Sequence, residues 1–184
     1  MIPIWIWGVV AVVIIVIVFL LYYNRFVTLL QRINNSESQI TVQLKKRSDL
    51  VPNLVNMVKG YIKHEKSVLT EVTKARTSMM NAKGFEGKVK AGGQLQDALK
   101  SLFAVAESYP DLKASQNFLE LQREVASIED KVAYARQYYN DSIMAYNTLM
   151  QKIPGTWFAS MYGFKGQKYF EIPEEEKAAP KIEF

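Results

Sequence analysis

Cysteine is absent from this 184-residue chain, and histidine occurs once. No disulfide, thiol nucleophile, iron–sulfur cluster or cysteine-bound zinc can be built from it. A single histidine also excludes a multi-histidine metal site within one chain. Charge is missing altogether from Met1 to Tyr23, where 21 of 23 residues are apolar and only Pro3 and Gly8 interrupt them. That run carries the excess in the overall hydrophobic share of 49%. Without it the chain is about 43% apolar, an ordinary soluble fraction. The length suits about one domain. The composition is that of a membrane segment joined to a globular domain.

A 22-residue helix is roughly 33 Å long at 1.5 Å per residue, enough to cross a hydrocarbon core of about 30 Å. A cleaved signal peptide would need a basic leader and small residues at its end. No Lys or Arg precedes Arg25, and the run closes on Phe19-Leu20-Leu21-Tyr22-Tyr23. An uncleaved anchor over residues 1–23 is the expectation, with Trp5 and Trp7 at one interface and Tyr22 and Tyr23 at the other. Arg25, Arg32, Lys45, Lys46 and Arg47 all follow the run. The positive-inside bias then puts the N-terminus outside and the rest of the chain in the cytoplasm.

Beyond the anchor the apolar spacing is helical almost throughout. Phe26, Leu30, Ile33, Ile40 and Leu44 extend the first helix out of the bilayer. Ser48-Asp49 and Pro52 predict a stop and a new start, because Pro is tolerated in a helix's first turn. A second helix follows on Val51, Val55, Val58, Ile62, Leu69, Val72 and Met79. Four glycines between Gly84 and Gly93 predict a loop. Leu95, Leu99, Leu102, Phe103 and Ala106 mark a short third helix, and Tyr109-Pro110-Asp111 a turn. The fourth helix runs on Phe118, Leu121, Val125, Ile128, Val132, Ala135 and Tyr139, then Ile143, Tyr146, Met150 and Ile153, and Pro154-Gly155 ends it. Strand character is confined to Tyr169–Ile172. The predicted fold is all-α: an N-terminal transmembrane helix continuing into an antiparallel, four-helix-type bundle over 24–155. An aromatic cap or membrane-interface segment (156–170) and a mobile acidic tail (171–184) complete it. A two-stranded coiled coil would leave the Pro- and Gly-marked turns unexplained.

Several of these stretches together form a familiar set. Arg47-Ser48-Asp49-Leu50-Val51-Pro52-Asn53-Leu54, then Tyr61 and His64-Glu65, resemble the second-helix signature of the LemA family. Glu107-Ser108-Tyr109-Pro110-Asp111-Leu112-Lys113, Arg136 with Tyr139-Asn140, Tyr146-Asn147 before Ile153-Pro154, and the closing Tyr162-Gly163-Phe164 and Tyr169-Phe170 match in the same order. The resemblance covers nearly the whole chain. It implies a bacterial membrane protein with an N-terminal anchor and a helical bundle, and it supplies no activity.

The chemical motifs fail one after another. His64-Glu65 opens like a zinc-protease helix, but the second ligand would stand at position 68, which is Val. Gly84-Phe85-Glu86-Gly87-Lys88 has the wrong spacing for a phosphate loop and follows no strand. A di-iron site needs Glu-x-x-His twice. A Ser–Lys nucleophilic pair is assembled in space, and nothing in the sequence favours one. No catalytic, cofactor or metal residue is assigned, and an unrecognised hydrolase is the weakest of the functional readings.

Polar residues that interrupt the apolar stripes form a candidate structural or partner-binding network: Arg47, Asp49, Asn53, His64, Arg76, Arg136, Asn140 and Asn147. A buried Arg survives only when paired and hydrogen-bonded. Net charge is +5. The cations crowd nearest the anchor, which suits anionic headgroups better than nucleic acid. Trp157, Phe158, Tyr162, Phe164, Lys165 and Lys168 form a candidate membrane interface, with aromatic rings beside lysines. The expected partners are the lipid bilayer and a further membrane or membrane-proximal protein, with a second copy of the chain as an alternative. The functional expectation is a non-enzymatic, membrane-anchored interaction or assembly module. The alternative is a lipid-binding or membrane-remodelling protein.

Overall fold

A computed structural model of the chain describes residues 3–62 and 65–170. Among them every regular element is helical: α1 (Ile4–Lys59), α2 (Lys66–Asn81), α3 (Gly84–Ala106), α4 (Pro110–Lys113), α5 (Gln116–Gln151) and α6 (Gly155–Tyr162). The acidic stretch from Glu171 and the residue His64 lie outside the described residues. The all-α architecture read from the sequence is the one observed.

One helix, α1, carries both the apolar run and the first element of the bundle. None of its most apolar 18-residue window is buried by the rest of the chain. A helix that is hydrophobic all round needs an apolar surrounding. This segment finds none in its own protein, and it is long enough to cross a bilayer.

The expected break at Ser48–Asp49 does not occur, and α1 continues through Pro52 to Lys59. Proline inside a helix removes one N–H, which orphans the carbonyl four residues earlier. Here that carbonyl belongs to Ser48, and the Arg76 Nε donates to it at 3.1 Å. A side chain from α2 thus replaces the missing backbone donor. The break falls at Gly60 instead, where the last turn closes on Gly60 N–H to Met57 O and Tyr61 N–H to Val58 O. What the stripe suggested as one second helix is therefore divided between the end of α1 and α2.

The Gly84–Gly93 stretch is a second departure from expectation, since it forms the first turns of α3. Glycine weakens a helix by about 1 kcal/mol relative to alanine, and tertiary packing overrides that here. A Cβ at Gly92 would stand 2.7 Å from Leu44 Cδ2, so any larger residue would force the buried Leu44 side chain to shift.

The chain divides into two compact units. The unit from Glu37 to Ala135 has a core of Val51, Leu54, Val55 and Val58 from α1, Leu69 and Val72 from α2, Leu95, Leu99 and Leu102 from α3, Leu112 from α4, and Phe118 and Val125 from α5. The helices α1, α2, α3 and α5 each give an apolar stripe to this bundle core, and α4 adds Leu112. The other unit joins the first 36 residues to those from Arg136 onward. Phe26, Leu29 and Ile33 of α1, Tyr139, Ile143 and Tyr146 of α5, and Ala159 of α6 are buried hydrophobic residues of this unit. Phe26 meets Tyr146 edge-on at 5.9 Å between centroids. The stripe of α1 leans toward Leu29, with the expected Leu30 only half-buried.

Candidate functional site

Of the eight polar residues singled out in the sequence, His64 lies outside the described residues and the other seven divide among separate settings. In the 37–135 unit, Arg47 is fully buried at 0% exposure, the largest side chain so enclosed. Its Nη1 donates to Gly92 O at 3.2 Å, and Nη2 lies 2.9 Å from the Glu129 carboxylate. One guanidinium therefore ties α1 to α3 and to α5. The carboxylate supplies the charge pairing and the carbonyl a hydrogen bond, both of which a buried cation needs. Arg76 serves α1 through Ser48, as described. Asp49 is exposed and pairs with Lys45 one turn away at 3.0 Å, a surface contact of little energetic consequence. Asn53 is exposed as well.

The remaining three act in the other unit, on the extended segment that follows α6. Asn147 donates from Nδ2 to Gln167 O at 2.8 Å and accepts from Gln167 N–H at 2.9 Å. Asn140 repeats the arrangement with Phe170, donating at 3.5 Å and accepting at 2.9 Å. Each amide side chain thus mimics a peptide group and engages one residue's N–H and C=O together. The Arg136 guanidinium lies over the Phe170 ring at 5.0 Å, a cation–π contact. The strand-like residues Tyr169 and Phe170 are thereby held along α5 without forming a strand. Burial pushes the Tyr146 phenol above its ordinary pKa, and a hydrogen bond with the Gln167 side chain opposes the shift.

Of the six candidate interface residues, Phe158, Tyr162 and Phe164 pack on the last turns of the apolar run and the residue Phe26 just beyond it. Phe158 stacks on Tyr22 at 4.7 Å, and Tyr162 meets Phe19 edge-on at 4.8 Å. The Tyr162 hydroxyl donates to Phe19 O at 2.6 Å. Its pKa is raised, first by burial and then by the neighbouring Tyr23 phenol. Phe164 stacks on Phe26 at 4.9 Å. Gly163 adopts a left-handed φ of 72° and ends α6, with Phe164 N–H bonded back to Ala159 O at 3.0 Å and Gly163 N–H to Ser160 O at 3.4 Å. That cap is what turns Phe164 onto Phe26. Trp157 does not join the cluster and stays 65% exposed, with Lys165 and Lys168 also exposed.

The sequence reading missed the replacement donor at Pro52 and the two asparagine clamps. A heptad separation of Asn140 and Asn147 on an apolar stripe was the available signal for the clamps. A shallow open groove of about 680 Å³ on α2, lined by Lys66, Thr70, Glu71, Lys74 and Ser78 and by Gln94 of α3, has both charge signs on its walls. Among the described residues no three His, Asp or Glu side chains converge as metal ligands.

Residues 36–184 match the model of the LemA family. The chain is also similar to the magnetosome protein MamQ 2 of Paramagnetospirillum magneticum, at 26% identity over 89% of this chain and 70% of that protein. Magnetosome protein MamQ of Magnetospirillum gryphiswaldense gives 25% identity over the same shares. Protein LemA of Metamycoplasma hominis is 26% identical over 63% of this chain and 53% of its own length.

Proposed function

The chain belongs to the LemA family, and from that premise we propose that it is a non-enzymatic, membrane-tethered assembly module. The observation that carries this reading is the continuity of α1, whose residues Ile4–Lys59 include both the apolar run and core positions of the bundle. A partner held by the bundle is thereby tied to the membrane through one unbroken helix rather than a linker. The buried Arg47, fixed to Gly92 and Glu129, serves in this reading to lock the register of the helices that present the partner surface. Candidate contact points are the exposed apolar side chains of the 37–135 unit, Val42, Tyr61, Met80 and Tyr134. The bundle faces the cytoplasm, by the bias of Arg25 and Arg32 after the run.

Photo-crosslinking residues placed singly at Val42, Tyr61, Met80 and Tyr134 of the full chain, in native membranes, test the proposal. Discrete adducts of one or a few masses are expected. Absence of any adduct at all four positions, in protein that retains its helix content, overturns it. Single cysteines at the same positions, labelled from either side of the membrane, test the orientation without interference because the chain has no cysteine of its own.

A further inference from the structure

The helix α6 has two apolar sides, and the fold uses only one. Phe158 and Tyr162 face the apolar run and pack on Phe19 and Tyr22. Trp157 and Met161, also four residues apart, remain 65% and 63% exposed, and Ile153 just before the helix is 75% exposed. Large apolar side chains exposed close together along one short stretch mark an interaction surface. Two observations identify what covers it.

The first is continuity with the apolar run. Ile4–Tyr23 is twenty residues, about 30 Å of helix, which fills a hydrocarbon core. The rings of α6 rest on Phe19, Tyr22 and Tyr23, the last turn of that length. The outward side of α6 therefore lies level with the edge of the hydrocarbon. The second is charge. Up to Phe170 this unit carries Arg25, Arg32, Arg136, Lys152, Lys165 and Lys168 against one acid, Asp141, and a further five Glu and two Lys lie after Phe170 in its sequence. Lys152, Lys165 and Lys168 flank α6 on both sides and are exposed.

We infer that α6 is an interfacial helix which inserts Ile153, Trp157 and Met161 into the edge of the bilayer and gathers anionic phospholipids on Lys152, Lys165 and Lys168. The anchor then has a second, lateral foot in the same leaflet. A short amphipathic helix with an apolar face and flanking lysines binds lipid by burial plus headgroup attraction. Its attachment to the spanning helix removes the entropic cost of bringing it to the surface. The inference is independent of what the bundle binds.

The test uses the full chain with Trp5→Phe and Trp7→Phe, which leaves Trp157 as the sole tryptophan of three. The protein is reconstituted in equimolar phosphatidylcholine and phosphatidylglycerol, with bromine on the acyl chains of one lipid or the other. Brominated lipid should quench Trp157 fluorescence, more strongly from shallow chain positions than from deep ones. Brominated phosphatidylglycerol should quench about twofold more than brominated phosphatidylcholine, and a Lys152→Gln, Lys165→Gln, Lys168→Gln variant should erase that difference. A second probe, Met161→Trp with Trp157→Phe, should report the same depth, so that one misfolded variant cannot decide the result. Free access of aqueous acrylamide with no lipid quenching at either probe overturns the inference. Protection that rises with the protein-to-lipid ratio overturns it in favour of a second copy of the chain. Equal quenching by the two lipids, unaltered in the lysine variant, overturns the anionic selectivity.

Discussion

Replacing Arg76 by Met tests the account of how α1 passes through Pro52. The guanidinium Nε donates to Ser48 O at 3.1 Å, and that carbonyl has no N–H four residues on. Hydrogen bonds from charged donors contribute about 1.5–3 kcal/mol. Arg76 is only half-buried, so solvent can reach part of the vacated space, and the expected loss is about 1–2 kcal/mol. For a chain of this size that lowers the melting temperature by roughly 2–8 °C. The decisive comparison is with Pro52→Ala, which restores the missing N–H. Pro52→Ala alone should stabilise the protein, because proline in a helix interior is disfavoured by about 3 kcal/mol and Arg76 recovers only part of that. In the Pro52→Ala background Arg76→Met should cost about 1 kcal/mol less than in the parent, since Ser48 O then has a backbone partner. Denaturant unfolding of the four proteins in mild detergent, followed by helical circular dichroism, yields the coupling. Equal costs in both backgrounds, within about 0.3 kcal/mol, would refute the reasoning.

Arg47→Met should destabilise the 37–135 unit by about 2–4 kcal/mol, below the full penalty for a broken buried pair because Glu129 is 28% exposed and rehydrates; adding Glu129→Gln should recover part of the loss, and an unchanged unfolding curve for Arg47→Met would count against a fixed centre. Asn147→Ala should cost about 1–2 kcal/mol and speed amide exchange at Gln167 more than at the neighbouring core of α5, whereas uniform acceleration would point to general loosening. Gly163→Ala should cost about 1–2 kcal/mol through its left-handed backbone and should loosen the packing of Phe164 on Phe26, visible as altered ring chemical shifts. The phenols of Tyr146 and Tyr162 both have folded pKa values raised above 10.0. Their contribution is therefore complete below about pH 10, where both states hold the proton, and is lost as pH rises through the raised values. Melting temperature should fall more steeply above about pH 10 in the parent than in a Tyr146→Phe, Tyr162→Phe variant, and identical slopes would contradict that sign.

The parts of the fold that depend on spacing within one helix were legible. Phe118, Val125, Ile128, Val132 and Tyr139 are buried along α5 as their three-and-four steps required, and Ile143 and Tyr146 continue on the shifted stripe. The parts that depend on a residue far along the chain were not. Whether Pro52 ends a helix turns on who serves Ser48 O, and the answer stands 28 residues on from Ser48. Whether four glycines make a loop turns on Leu44, which rewards the absence of a Cβ at Gly92. Of the eight polar residues proposed as one network, burial alone could not say which partners they would find. Asp49 and Asn53 sit on the solvent side of a helix that the expected break would have divided. The aromatic cluster was read from composition, but its inward and outward sides on α6 required the contact with Phe19 and Tyr22.

The paired asparagines of α5 measure length as well as hold it. Seven residues of helix rise about 10.5 Å, and the three-residue step from Gln167 to Phe170 matches that rise, so Asn147 and Asn140 fall opposite Gln167 and Phe170. Helix and extended segment act as two scales of a vernier that coincide at these two marks. One residue inserted between the marks on α5 would turn Asn140 by about 100° and lose the upper coincidence, while one inserted between Gln167 and Phe170 would shift the other scale by about 3.4 Å. Length changes in this stretch are therefore compatible with both clamps only when made on the two scales together.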